Sequence, residues 1–223
     1  MIGEMVAVVV LGSPVLEGTV WLDDPVPPKS AVDMSSDPVC QRLGARAPRP
    51  DEHRLADAFV WLDAPPRRSN EPLEPQTVVI QGCRFVPHVL GLQTGQRLRI
   101  HNLDPTLHHV SAPGFFDWVL PKGALPRSIV LNEPRIMVEL RDGAHPWMAA
   151  YVGVLQHSHF AVTNAEGAFV IDLNGLEPGV RRIRFWHEVM GPRSRSIEVP
   201  PGGESPEAIR WTFSLQDPTE AQP

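Results

Sequence analysis

The chain's nine histidines are the residues best equipped for chemistry, and they are unevenly spread. His53 falls in a polar, basic stretch, whereas His88, His101, His108, His109, His145, His157, His159 and His187 concentrate in the middle and later parts. Neutral imidazole is the commonest protein ligand for transition metals, and imidazoles on different strands converge readily at one end of a β-sandwich. His145-Pro146-Trp147-Met148 sets an imidazole and a thioether three residues apart in a proline-constrained loop, and His108 follows the turn Asn102-Leu103-Asp104-Pro105. One His from an early loop with His and Met from a late one is a copper-like ligand set. The blue-copper type completes it with a Cys thiolate just before the late His. The sequence carries no Ser-His-Asp, P-loop or dinucleotide-binding signature, so an enzyme reading has only a metal route.

The elements that position these residues must be short strands. With 223 residues, 42% hydrophobic and 21% charged, the chain can bury one large core or two modest ones. Pro 25 and Gly 17 exceed average usage, which suits many turns. A net charge of −6 without a Lys/Arg block argues against nucleic acid. The apolar run Met5 to Leu11 lacks a basic flank and is too short to span a bilayer, so no membrane span is expected. That run does not decide between an exported and a cytoplasmic protein. Cys40 and Cys83 have no CxxC spacing, which removes the zinc-knuckle and thioredoxin readings. They are either two buried thiols or one long-range disulfide, which would contribute about 4 kcal/mol in an oxidising compartment.

Alternating or short apolar runs bounded by Pro, Gly, Asn and Asp predict an all-β fold. The expected strands are Val6 to Leu11, Gly18 to Leu22, Ala58 to Leu62, Thr77 to Gln81, Arg97 to Asn102, Ser128 to Leu131, Ile136 to Leu140, Tyr151 to Leu155, Phe160 to Thr163, Ala168 to Asp172, Arg181 to His187, Arg195 to Val199 and Ile209 to Leu215. Arg42 to Leu55 and Ala64 to Pro75 read as exposed loops, and Asp217 to Pro223 as a flexible tail. A hairpin turn at Asn164-Ala165-Glu166-Gly167 opens a compact unit unlike anything earlier, so a boundary is expected near residue 156.

Seven motifs in order carry a resemblance: Asp24-Pro-Val-Pro-Pro28, Met34-Ser-Ser-Asp-Pro-Val-Cys40, Cys83-Arg-Phe-Val-Pro-His-Val89, Asn102-Leu-Asp-Pro-Thr-Leu-His108, His145-Pro-Trp-Met-Ala-Ala-Tyr-Val152, Phe160-Ala-Val-Thr163 and Phe185-Trp-His-Glu188. Together they resemble a bacterial family of exported cupredoxin-like proteins, similar to plastocyanin and azurin, with a carboxypeptidase-regulatory, transthyretin-like module at the C-terminus. The resemblance implies a Greek-key sandwich over 15–155, a small β-sandwich over 156–216 and a tail over 217–223. It further implies a periplasmic or extracellular location, a copper ion, and a protein redox or copper-transfer partner. Cys40 and Cys83 match family positions, which implies that they form the disulfide.

The chain departs from the family where the thiolate belongs. Three positions before His145 the family has Cys, and here Asp142 stands in Arg141-Asp-Gly-Ala144. A blue centre needs the thiolate. A carboxylate favours tetragonal Cu(II) over Cu(I) and so slows electron exchange. Imidazoles are gained as the thiolate is lost: His109 follows His108, and His157-Ser158-His159-Phe160 replaces a single family His. On an extended strand His157 and His159 share one face, about 7 Å apart, where a metal or a second imidazole could bridge them. His108 and His109 point to opposite faces, and His108 holds the family-matching position.

The expected metal set is therefore His108, His145, Met148 and Asp142, with His88 either a ligand or a hydrogen-bonding support beneath the loop. His109, His157, His159, His187 and Glu188 are extra ligands or supports, with His187 a candidate for an interface pair with a carboxylate such as Glu188 or one across the junction. Phe115, Phe116, Trp118 and Trp147 are expected to cover the loop or pack between layers. Two ligands on one metal require ring nitrogens of His108 and His145 about 3 to 4 Å apart. The competing functions are copper storage, carriage or sensing, a metal-free binding scaffold for protein or glycan, and a type-2 copper oxidoreductase.

Overall fold

A computed structural model describes residues 13–23, 33–43, 53–67 and 72–214, together with positions 217 and 219. In chain order the strands are β1 (Val15–Leu22), β2 (Phe59–Leu62), β3 (Gln76–Ile80), β4 (Phe85–Val86), β5 (Val89–Gln93), β6 (Arg97–Asn102), β7 (His108–Ala112), β8 (Phe116–Leu120), β9 (Arg127–Val130), β10 (Arg135–Asp142), β11 (Ala149–Leu155), β12 (Phe160–Val162), β13 (Ala168–Asp172), β14 (Gly179–His187), β15 (Gly191–Val199) and β16 (Ile209–Phe213). One short helix, α1 (Pro38–Leu43), lies between β1 and β2. The expected strand Val6 to Leu11, most of the loop from Arg42 to Leu55 and most of the tail lie outside the described residues. Among the described residues no helix is long and apolar enough to cross a membrane.

The fold is all-β and forms two sandwiches. The first pairs a five-stranded sheet, β5-β11-β10-β7-β8, with a four-stranded sheet, β4-β3-β6-β9. Its two parallel pairs, β3 with β6 and β5 with β11, join strands that do not follow one another in the chain. Alternating side chains such as Leu98 and Ile100 of β6, Val110 of β7 and Leu140 of β10 fill the space between its sheets.

The second sandwich contains β13-β1-β16 and β12-β2-β14-β15. Its membership differs from the expectation drawn from the sequence. β1 and β2, assigned there to the first unit, are hydrogen bonded here: β1 between β13 and β16, and β2 between β12 and β14. Phe59-Val-Trp-Leu62 is buried at all four positions, the mark of a strand covered on both faces, and such a run does not specify which sheet it joins.

Four strands and the helix go beyond the expectation. β4 and β5 straddle Pro87, which reads as a breaker, and β7 begins with two histidines whose alternation is hidden because His108 is a buried polar residue. β8, Phe-Asp-Trp-Val-Leu, alternates but leaves four of five residues partly open. The six residues of α1 are too few for periodicity. It is nucleated by Asp37, whose Oδ1 accepts the amides of Val39 and Cys40 at 2.6 and 3.2 Å, and by Pro38 at its first turn. Cys40 and Cys83 form a disulfide, which ties α1 to the turn before β4.

The two sandwiches meet through Phe59, Trp61, Val89, Met137, Leu155 and Trp186. Gly91 and Gly153 permit this contact. A Cβ on Gly91 would stand 2.3 Å from the Phe160 ring, and one on Gly153 would stand 2.6 Å from the Phe59 ring. We therefore expect Gly153→Val to lower stability by about 1–3 kcal/mol through overpacking, and Phe59→Ala by about 3–5 kcal/mol through the cavity it leaves. Urea denaturation measures both, and unchanged midpoints would contradict this account of the junction.

Candidate metal centre

The centre is built where β7 starts and β10 ends. Asn102, buried at the end of β6, shapes the first loop: its Nδ2 donates to the carbonyls of Thr106 and Leu120 at 2.8 and 2.9 Å, and its Oδ1 accepts the Asp104 amide at 2.9 Å. His108 then enters β7 pointing inward and is fully buried. The late loop closes on backbone bonds from the Met148 amide to the His145 carbonyl at 2.9 Å and from the Asp142 amide to the Met148 carbonyl at 3.3 Å.

Asp142 divides its carboxylate. Oδ1 accepts the amides of Ala144, His145 and His109 at 2.8, 3.1 and 3.3 Å. Oδ2 faces Nδ1 of His108 at 2.6 Å and Nδ1 of His145 at 3.2 Å. The two rings stand 4.6 Å apart between centroids. Their far nitrogens are also met by carboxylates: His108 Nε2 lies 3.3 Å from Asp104 Oδ2, and His145 Nε2 lies 3.0 Å from Asp37 Oδ2. Asp104 is fixed by the amides of Gly82 and Cys83, each at 2.7 Å. Asp37 Oδ2 also accepts the Thr106 hydroxyl at 2.9 Å.

The electrostatics follow from three carboxylates around two imidazoles. Burial opposes charge on His108, but bonds to Asp104 and Asp142 outweigh it and hold its pKa up at about 9. Burial works to raise Asp142 and Asp104, yet the His108 bond and backbone amides keep both below the ordinary carboxylate value. Against its own desolvation Asp37 is drawn down to about 2 by His145, Thr106 and the amides of α1.

His145 carries the test of whether a cation fits. Asp37 and Asp142 can both only accept, and the one proton of a neutral His145 ring serves one of them: placed on Nε2 toward Asp37 at 3.0 Å, it leaves the Nδ1 lone pair facing Asp142 Oδ2. This buried nitrogen makes no hydrogen bond among the described residues. Two electron-rich atoms 3.2 Å apart repel one another, and a cation held by both would relieve that repulsion. His108, Asp142 and His145 offer one ligand atom each within 4.8 Å of one another. Imidazole nitrogen with carboxylate oxygen suits a divalent ion such as Cu(II), and an outer carboxylate on each ring's other nitrogen is the usual support of a metal-bound histidine.

Met148 packs in the apolar core beneath the loop. Trp147 lies edge-on to His145 at 5.2 Å, and Phe115, Phe116 and Trp118 pack against the same core. His109 turns to the opposite face, above Gly143, and pairs with Asp117. His88 does not reach the centre: its Nδ1 meets the Ala149 carbonyl at 3.0 Å, and its Nε2 pairs with Glu188 at 3.2 Å across the junction. Glu188 thus partners His88, while His187 Nδ1 accepts the Val189 amide at 3.2 Å. His157 and His159 lie side by side, as their shared face leads one to expect, with rings stacked 5.6 Å apart between centroids. His157 Nδ1 accepts the His159 amide at 3.3 Å, and His159 Nδ1 donates to the Asp172 carbonyl at 2.7 Å. Asp37 and Asp104 were missed as site residues. Their only sequence signal was Asp-Pro, which marks a cap or a turn.

No protein-family model matches the chain, and no curated protein sequence matches it. Among solved structures it is similar to amicyanin from Paracoccus versutus at 18% identity, covering 38% of this chain and 85% of that one, with a TM-score of 0.33. A reduced, Cu(I) form of an amicyanin mutant is 16% identical over 43% of this chain and 97% of its own, with a TM-score of 0.33. A copper-containing nitrite reductase from Thermus scotoductus is 23% identical, covering 42% of this chain but 25% of that one, at the same TM-score. Nothing about the chemistry of this chain follows from likenesses this distant.

One titration can be followed away from the centre. Burial, then the neighbouring His159, pushes His157 down to about 4. The unfolded chain, with an imidazole near 6.5, binds the extra proton first, so stability is full above about pH 6.5 and is lost as pH falls toward 4. The expected loss is about 3 kcal/mol, read by urea denaturation across that window. His157→Gln should flatten this part of the acid slope, and an equally steep slope in the variant would contradict it.

Proposed function

We propose that this protein binds copper, as Cu(II), in a thiolate-free centre whose ligands are His108 Nδ1, His145 Nδ1 and an oxygen of Asp142. The observation that carries the reading is the convergence of both Nδ1 atoms on one carboxylate oxygen, with Asp104 and Asp37 backing the two Nε2 atoms. Met148 lies beneath the loop as the candidate for a weak fourth contact. The bound ion would supply a Lewis-acidic, redox-active cation. The protein's own residues fix the ring tautomers, neutralise the ion's charge and exclude water.

Burial argues for holding copper rather than turning over a substrate, because His108 is 0% and His145 2% exposed. Storage, carriage or sensing is therefore the function we favour, with delivery to or from a protein partner. The disulfide supports a periplasmic or extracellular setting. A metal-free scaffold is the second reading, and one observation favours it: His108 as imidazolium already bridges Asp104 and Asp142.

Copper titration followed by electron paramagnetic resonance separates the two. One equivalent of Cu(II) should bind with a type-2 spectrum and little visible colour. His108→Ala, His145→Ala and Asp142→Ala should each weaken affinity at least tenfold, whereas His53→Ala, whose ring meets the Leu22 carbonyl far from the centre, should not. Equal affinities across all four variants would leave the scaffold reading in place. Asp142→Cys restores the thiolate position, and we expect an intense visible charge-transfer band from its Cu(II) form. A colourless Cu(II)-loaded variant would show that the loop does not hold that position against the two imidazoles.

A further inference from the structure

The two imidazoles of the centre have a second neighbour on the side away from Asp142. Cys40 Sγ lies with an oxygen of Asp37 and a ring nitrogen of His145, all within 4.8 Å of one another. Cys83 Sγ lies in the same way with Asp104 and His108. Asp37 and Asp104 meet the Nε2 atoms, so the disulfide flanks the Nε2 side of both rings. The ring pair is thus bounded by the Asp142 carboxylate on one side and by Asp37, Asp104 and the two sulfurs on the other.

We propose that reduction of the Cys40–Cys83 disulfide creates a second metal site on the Nε2 side, in which both thiolates and the imidazoles of His108 and His145 bind one soft, thiophilic cation such as Cu(I). The proposal does not require the Asp142 side to be occupied. A dithiol reduces the bond and is itself oxidised to a disulfide, leaving two thiols. The cation then displaces the two thiol protons to water. Binding through Nε2 displaces one proton of the His108 imidazolium to water and leaves its Nδ1 proton in place, while the ring proton of His145 moves to Nδ1; Asp142 Oδ2 stands at 2.6 and 3.2 Å to accept both N–H groups. Asp142 thereby changes from ligand of one site to support of the other. Sulfur with imidazole nitrogen is the donor set that soft d10 cations prefer.

Both cysteines are held in place without the sulfur–sulfur bond. Cys40 sits in α1, whose first turn is capped by Asp37, and Asp37 is anchored in turn by Thr106. The Cys83 amide is bound to Asp104 at 2.7 Å. Two thiolates at about 2.3 Å from a tetrahedral cation stand about 3.8 Å apart, which side-chain rotation reaches from a Cα separation of 5.5 Å. Both residues are fully buried against the apolar core, where a thiolate–metal bond is shielded from water.

The test is Cd(II) titration of the full chain, read by the ultraviolet thiolate-to-metal charge-transfer band, before and after reduction with a phosphine. Reduced protein should develop the band at one equivalent, and oxidised protein should show none. The variant Cys40→Ser/Cys83→Ser, checked for folding by circular dichroism, should also show none. Reduced His108→Ala/His145→Ala should bind at least tenfold more weakly. The proposal is overturned if reduced protein shows no band, including the case in which reduction unfolds it. It is equally overturned if the double histidine variant binds as tightly as the parent, because the site is then a plain dithiol. Cu(II) resonance of the oxidised protein reports the Asp142 side separately, so either site can fail while the other stands.

Discussion

Everything around the centre depends on how the Asp142 carboxylate is shared. One oxygen is saturated by three backbone amides, which pins the side chain and turns the strand end into a loop. The other is left to two imidazoles, and no rotation of the carboxylate could satisfy both demands in any other way. Fixing this one group therefore fixes the loop conformation, the orientation of His145 and, with Asp104, the charge of His108. A thiolate at the same position has one acceptor atom where the carboxylate has two, so it could not serve the three amides and the two imidazoles through separate atoms.

The centre is also closed from outside by a piece of chain that the first sandwich does not itself contain. Asp37 reaches His145 from the segment between β1 and β2, across 108 positions of sequence. One of its oxygens starts a helix and the other holds the imidazole, so the local fold of α1 and the burial of His145 are a single event. An ion bound at the proposed centre would have to disturb the Asp37 contact or the late loop to enter or leave, so its exchange would be governed by local opening as well as by ligand bonds.

His108, His145 and Asp142 were legible in the sequence because each sits in a local motif whose chemistry does not depend on distant contacts. Asp37 and Asp104 were not, since Asp-Pro reads as ordinary punctuation until the fold lays it against a histidine. His88 was misplaced for the related reason that a histidine next to Pro87 carries no record of which sandwich it faces. The all-β class followed from runs such as Arg97 to Asn102, where alternation is strict. β5 and β7 escaped because Pro87 and the paired histidines mask the period. Partnership of β1 and β2 was the largest gap, as a buried strand advertises its burial and not its neighbours.

That partnership bears on how the molecule comes into being. β1 lies between β13 and β16, so the first described strand is completed only by the last. At ordinary elongation rates the ribosome needs on the order of ten seconds to deliver those partners. Through this interval the first sandwich can close on itself, while Val15–Leu22 and Phe59–Leu62 wait with unpaired edges and apolar faces. β1 is thus exposed to mispairing until β16 has been made, and the pairing of β16 is the latch that ends this vulnerability.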